Sequence, residues 1–429
     1  MLRAVNETAV VTARGAAAIR AGSPWIQRAD VTRGPVADAM GGGPYLVSVA
    51  DGHGRPLARA TWAAAATARI ALRIVDRVPL APHDSPGARA GAGRVDGGLD
   101  AFVALVEERL TAAAARREML APERTAFRVA HAEADGLPGL VVDRYGDAAV
   151  VQTNSVAMNA ARAAIAARVA RLLKARIVIA RDDGSARDFE GLPRFAGVVE
   201  GGGETRVVYR LGPNQLEADL LTDSKTGGFL DQADNHAYVA ALAPAGTRAL
   251  DAFTYHGGFA LALARRGGAV LATDESPAAV ARATANARRN QLDNLEVRQA
   301  NAFDLLRTLE AEGRRFEVVV LDPPALAKRG GTAGRDRARD AAALGAADRA
   351  YKELFLRGAR LTAPGGLLVL CSCSGRVSRG HFDELVADAL SDAGRGAQIL
   401  ARLGAGRDHP ELVGVPETGH LKCWVLRVL

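Results

Sequence analysis

Between Arg248 and Ser372 the chain alternates short apolar runs with amphipathic stretches, and this alternation restricts its possible folds more than any other feature. Runs of strand length stand at Arg248–Ala252, Ala269–Thr273, Leu295–Arg298, Glu317–Leu321 and Gly366–Ser372. Helical spacing lies between them, most clearly over Pro277–Asn290 and Tyr351–Leu361. Parallel strands need a crossover, and a helix supplies it, so the pattern predicts a parallel, doubly wound sheet. Leu421–Leu426 reads as one further strand.

A chain of 429 residues exceeds one ordinary core. Residues 1–76 are expected to form a small β-rich module, with Tyr45–Ala50 and Leu57–Ala60 flanking an Asp51-Gly52-His53-Gly54 turn. Residues 77–118 hold a linker crowded with Pro, Gly and Ala (Pro79–Asp100), then a helix from Leu99 to about Arg117. Residues 119–208 read as a small α/β domain with a strand at Ala148–Val151, a helix at Ala160–Leu173 and a strand at Arg176–Ala180. The alternating part occupies residues 209–429.

Hydrophobic residues at 48% and charged ones at 24% are the balance of a globular chain. No run is apolar enough to span a bilayer, and the first residues lack the apolar core of a secretory signal. Three cysteines make no disulfide framework, so a reducing cytoplasm is expected. The net charge of +7 is rich in arginine, which pairs with phosphate and stacks on bases. Arg and Ala enrichment also follows from a GC-rich genome, so charge alone does not choose a nucleic-acid partner.

The first strand of the alternating part runs into Asp251-Ala252-Phe253-Thr254-Tyr255-His256-Gly257-Gly258-Phe259. Glycines there let a ligand approach the backbone at the carboxyl end of the sheet. Asp274 ends the second strand, where a carboxylate would take both ribose hydroxyls of a nucleoside. The tighter turn that grips a pyrophosphate is missing. Asp251 with the faces of Phe253 or Tyr255 suits a cation, and S-adenosyl-L-methionine, a sulfonium without phosphate, fits that requirement. After the third strand, Asn301 offers an acceptor for an adenine amine, and Ala302 with Phe303 a wall for the ring. The fourth strand ends in Asp322-Pro323-Pro324, where two prolines stiffen the backbone beside the acid. Asp-Pro-Pro at that position signals a nucleic-acid methyltransferase.

The fifth strand delivers Cys371-Ser372-Cys373-Ser374-Gly375 to the same edge. Carbon 5 of a pyrimidine is a poor nucleophile until a thiolate adds to C6, so a Cys beside an acid is what C5 methylation requires. Methylation of an exocyclic amine or of N7 needs no thiol. Either cysteine could equally be a small filler at a strand end. Spacing does not choose between them, and Cys423 reads as core.

At this point the chain resembles, over nearly its whole length, the bacterial large-subunit rRNA 5-methylcytosine methyltransferases. The matching residues are Ser23-Pro24-Trp25-Ile26, the stretch Glu133–Gly146, Lys225-Thr226-Gly227-Gly228-Phe229-Leu230-Asp231-Gln232, Phe253–Phe259, Asp322-Pro323-Pro324, Tyr351-Lys352-Glu353 and Ser372-Cys373-Ser374-Gly375. The resemblance implies a PUA-like RNA-binding domain, a small α+β central domain and a Rossmann-like class I methyltransferase domain with a mixed seven-stranded sheet. By it Cys373 is the nucleophile, Asp322 holds N3 of the cytosine and Asp274 the cofactor ribose. It also implies cofactor contacts by Gln232, Asp251, Phe253, Tyr255, Gly257, Asn301, Ala302 and Asp322. Lys225, Phe229, Pro323 and Pro324 are implied for the substrate. The expected partner is ribosomal RNA, without membrane or metal, and a homodimer is allowed.

The sequence departs from the family at Asn301, where Asp is usual, and at Ala233 and His236, where arginines are common. Ala325 replaces a frequent lysine, Phe355 a usual Asn, and Arg329–Ala347 is long and basic. Two other readings remain: an RNA guanine N7 or N2 methyltransferase, and an RNA-binding relative without catalysis. Methylation of a small molecule is weaker, because it leaves the front of the chain without a purpose.

Overall fold

A computed structural model describes residues 8–34, 46–63, 68–77, 99–326 and 337–429. Tyr45, most of the Pro79–Asp100 linker and the first part of Arg329–Ala347 lie outside the described residues. The chain divides into two compact units. The first comprises Met1–Val207, Asp219–Gly227 and Pro410–Thr418; the second comprises Val208–Ala218, Gly228–His409 and Gly419–Leu429.

In the first unit, β1 (Thr8–Val11), α1 (Ala13–Arg20), β2 (Trp25–Gln27), β3 (Val31–Arg33), β4 (Leu46–Ala50), β5 (Pro56–Trp62) and β6 (Ile70–Arg77) come first. Their six strands form one sheet ordered β2-β6-β5-β4-β1-β3, with β1 and β4 parallel. The Asp-Gly turn forms as expected: Asp51 Oδ1 accepts from the backbone N–H groups of His53 and Arg55, at 3.0 Å each. Next come α2 (Leu99–Arg117), β7 (Ala126–His131), β8 (Leu140–Tyr145), β9 (Ala148–Thr153), α3 (Val156–Ala160), α4 (Arg162–Leu173), β10 (Ile177–Asp182) and β11 (Phe195–Gly201). Their sheet is ordered β11-β10-β9-β8-β7 and packs on Phe102, Val106 and Leu110 of α2 and on Ile165 and Val169 of α4. The single helix expected over Ala160–Leu173 is broken at Ala161, whose backbone (φ −90°, ψ 2°) leaves the helical region. Within this unit Arg73 ties the two sheets' surroundings together, donating to Glu133 (2.9 Å) and Glu190 (2.7 Å).

A hairpin of β12 (Arg206–Leu211) and β13 (Asn214–Asp219) follows. In the second unit α5 (Ala233–Leu242) leads into β14 (Ala249–Asp251), α6 (Gly258–Ala264), β15 (Val270–Asp274), α7 (Pro277–Arg289), β16 (Leu295–Gln299), α8 (Ala302–Ala311) and β17 (Phe316–Leu321). Then come α9 (Arg337–Leu361), β18 (Thr362–Ser372), α10 (Arg379–Ala393), β19 (Ala397–Leu403) and β20 (Lys422–Val428). The seven strands are ordered β16-β15-β14-β17-β18-β20-β19. The first five run parallel and β20 lies antiparallel to both its neighbours. This is the mixed seven-stranded sheet that the resemblance implies. Helices cover both faces, so Val318–Leu321 and Leu368–Cys371 are wholly buried; that is why they read as continuous apolar runs.

Strand order reverses between β14 and β17, which opens a crevice beyond their carboxyl ends. Asp251, Asp274, Asp322 and Cys373 all stand at or just beyond carboxyl ends of parallel strands in this sheet.

Candidate active site

The loop after β14 is built on carboxylates. Asp251 is buried, and its Oδ2 accepts from Thr254 Oγ1 at 2.8 Å. Its Oδ1 is buried without a hydrogen-bond partner. Burial, only partly offset by Thr254 and reinforced by Asp322, pushes this carboxyl up to about 7. A buried acceptor left open at the ligand edge of such a sheet is a place for a cation or an N–H donor of a ligand.

Asp274 closes the loop from the neighbouring strand. Its Oδ2 accepts from the Tyr255 N–H at 3.0 Å and its Oδ1 from the Ser276 N–H at 2.9 Å. The backbone of Tyr255, which makes the first bond, is left-handed (φ 49°), uncommon for a residue with a bulky side chain. Each oxygen keeps a second lone pair for a hydroxyl. The Tyr255 ring stacks on His256 (centroids 3.7 Å apart, 11° between planes) and meets the edge of Phe229 at 4.7 Å. Burial and the positive Arg282 push His256 down to about 3, so its ring is neutral. Phe253 packs partly into the core.

The two glycines divide their roles. Gly257 is left-handed (φ 92°) and turns the chain into α6. Gly258 is crowded by a neighbouring side chain: a Cβ there would lie 2.2 Å from His236 Cε1.

Asn301 caps α8. Its Oδ1 accepts from the N–H groups of Phe303 (3.0 Å) and Asp304 (3.4 Å), so the oxygen expected for an adenine amine already serves the helix end. Ala302 is buried in the first turn.

Asp322 follows β17, with Pro323 buried and Pro324 exposed. Gln232, expected at the cofactor, is itself buried and donates from Nε2 to Asp322 Oδ2 at 2.9 Å. Its Oε1 accepts from Asn235 Nδ2 at 2.6 Å, so the amide is oriented from behind. Lys225 belongs to the other unit, where it is exposed and left-handed (φ 53°).

The structure separates the two cysteines that spacing leaves equivalent. Cys371 lies inside β18 opposite Cys423 and is fully buried, and that burial pushes its thiol well above the ordinary value. The strand stops at Ser372, which leaves Cys373 beyond its end and partly exposed. Tyr351 from α9 is hydrogen-bonded to Ser372 Oγ at 2.9 Å, and the Ser374 N–H donates to that same oxygen at 3.3 Å. The turn carrying Cys373 is thereby pinned on both sides.

Lys422 is the residue that sequence reasoning passes over. It opens β20 opposite Ser372, is buried, and donates to the carbonyls of Ser374 (2.6 Å) and His420 (2.8 Å). Its only signal is a lysine at the head of an apolar strand. Among the described residues no cluster of His, Cys, Asp or Glu could hold a metal ion, and no helix is long and apolar enough to cross a membrane.

Comparison with known proteins agrees with this geometry. Residues 244–401 match the family profile described as a methyltransferase domain. The ribosomal RNA large subunit methyltransferase I of Aeromonas salmonicida is 34% identical over 414 residues, which cover 94% of this chain and 95% of that one. A structure assigned as a SAM-dependent methyltransferase from Streptococcus mutans has a TM-score of 0.74 at 14% identity, over 98% of this chain and 99% of the other. A second methyltransferase structure, complexed with SAH, has a TM-score of 0.75 at 15% identity over the same shares. These two likenesses show the fold.

Proposed function

Because the chain belongs to the ribosomal RNA large subunit methyltransferase I family, we propose that it makes 5-methylcytosine in large-subunit ribosomal RNA, with S-adenosyl-L-methionine as methyl donor. The observation that carries the choice of carbon 5 is the thiol of Cys373, brought partly exposed past the end of β18 while Cys371 and Cys423 stay buried.

The buried, unpartnered Oδ1 of Asp251 fits a ligand that carries positive charge, and Asp274 has acceptor capacity for a ribose. Gly257, Tyr255, Phe253, Asn301 and Ala302 would complete the cofactor site. When bound, S-adenosyl-L-methionine would supply an electrophilic methyl carbon and leave as S-adenosylhomocysteine.

The remaining work falls to the chain. The Cys373 thiolate adds to C6 of the cytosine, a C6–S bond forms, and the electron pair of the C5–C6 double bond moves to C5, which takes the methyl group. The C5 proton then passes to water, the C5–H electron pair re-forms the double bond, and the C6–S bond breaks with the thiolate restored. Asp322, steadied by Gln232, would hold N3 of the base, with Phe229, Pro323 and Pro324 beside it. The target base must be unstacked to reach such an edge.

The first unit, including the PUA-like module of residues 1–76 and Lys225, would hold the RNA, and the enzyme would act in the cytoplasm. Sedimentation of the RNA complex reads whether one copy or a homodimer binds.

The test is to methylate large-subunit rRNA with the purified enzyme and analyse the nucleosides by mass spectrometry. 5-Methylcytosine is expected. Methylated guanine would replace this proposal with the guanine reading, and no methyl transfer with the non-catalytic one.

A further inference from the structure

Lys422 is 2% exposed, and its ammonium is held by two neutral carbonyls, those of Ser374 and His420. No carboxylate pairs with it among the described residues. An ammonium buried without a counter-ion is costly, so a group that can become negative beside it gains from doing so. Ser374 is the residue next to Cys373, and Ser372, on the other side, is the cross-strand partner of Lys422. The lysine thus approaches the three-residue turn from across the sheet and binds its far end. Cys373 is the neighbour that favours the charged form of Lys422, against burial and the positive Arg379 at the start of α10. With those opposing effects, Lys422 is pushed down to about 8 and remains largely protonated at neutral pH.

We propose that Lys422 is a positioning residue: its buried ammonium is the counter-ion of the Cys373 thiolate and fixes the turn that aims it. The proposal rests on Cys373 as the nucleophile. Other charged or titratable groups face the turn. The positive Arg379 on α10 acts on Lys422, and Asp322, after β17, acts on Tyr351 and Cys371. Tyr351 on α9, hydrogen-bonded to Ser372 and raised above the ordinary phenol value chiefly by burial, stays neutral. His420 contributes a carbonyl to Lys422 while its ring pairs with Asp231 at 3.2 Å. A lysine that merely tied off two carbonyls would leave the ionisation of Cys373 unchanged when replaced by a neutral donor.

The experiment is alkylation of the full-length protein with iodoacetamide from pH 6 to 10, with Cys373 modification quantified on its own peptide by mass spectrometry. In Lys422→Gln and Lys422→Met the Cys373 profile is expected to move up by about one pH unit or more, a roughly tenfold loss of thiolate at fixed pH. Lys422→Arg is expected to restore much of it. An unchanged profile in either neutral variant, with an intact thermal transition, overturns the proposal. The wild type tests it without any variant, because Cys373 should be half-ionised below the ordinary thiol value of about 8.5. A wild-type midpoint at or above that value overturns it. Alkylation reads the lysine–thiol pair itself, whereas methyl transfer by Cys373→Ala reads the adduct, so the two ideas fail separately.

Discussion

Gln232 donates a 2.9 Å hydrogen bond to Asp322, and the carbonyl end of its amide is held by Asn235. The acid proposed to hold N3 of the base is therefore oriented by a buried side chain preceding α5 rather than by the proline pair alone. A hydrogen bond to a charged group contributes roughly 1.5–3 kcal/mol, which corresponds to about 10- to 150-fold.

Gln232→Ala should accordingly lower kcat for rRNA by about one to two orders of magnitude. Calorimetry should find cofactor affinity nearly unchanged. A variant that loses cofactor binding instead, with kcat intact once saturated, would return Gln232 to the cofactor.

Asp251 gives a pH dependence with a definite sign. In the folded protein its carboxyl is raised from 3.8 to about 7, so between those values the folded state holds a proton that the unfolded chain has lost. Stability from this group is therefore lost as pH rises through that window, by a few kcal/mol on the order of three pKa units. Asp251→Asn escapes the loss, so its stability relative to wild type, read from urea midpoints, should grow from pH 5 to 8.

Cofactor affinity should move the other way. A cationic ligand favours ionised Asp251, so wild-type binding should tighten as pH rises and level off above about 7. Asp251→Asn should bind more weakly, with a flat profile. Parallel profiles for the two proteins would remove Asp251 from the cofactor site.

Gly258→Ala should destabilise the protein because its Cβ would lie 2.2 Å from the ring of His236, which packs edge-on against Phe259 at 4.4 Å. Overpacking of this kind costs about 1–3 kcal/mol. Combining it with His236→Ala should recover most of the loss in thermal midpoint. If the double variant is no better than Gly258→Ala, the close contact is not the reason for the glycine.

The parallel strands are legible in the sequence because burial on both faces makes them continuous apolar runs, as in Phe316–Leu321. Edge strand β19 is not, since its partly exposed Ala397–Leu403 carries no such run. Helix α9 is legible only from Tyr351 onward, its earlier part being Arg, Ala, Asp and Gly with Leu344 as its one large apolar residue. Asp251, Asp274 and Asp322 can be found from strand ends alone. The choice between Cys371 and Cys373 cannot, because it turns on β18 stopping at Ser372. Gln232 and Lys422 act through partners 90 and 48 residues away, a relation that only the folded sheet creates.

The proposed role of Cys373 is to make the covalent bond that activates carbon 5. It is tested most directly by methyl transfer to large-subunit rRNA with wild type, Cys373→Ala and Cys371→Ala, the products being digested to nucleosides for mass spectrometry. Wild type and Cys371→Ala should form 5-methylcytosine, and Cys373→Ala should form none while still binding cofactor. Full transfer by Cys373→Ala, or a wild-type product methylated on guanine, would contradict it.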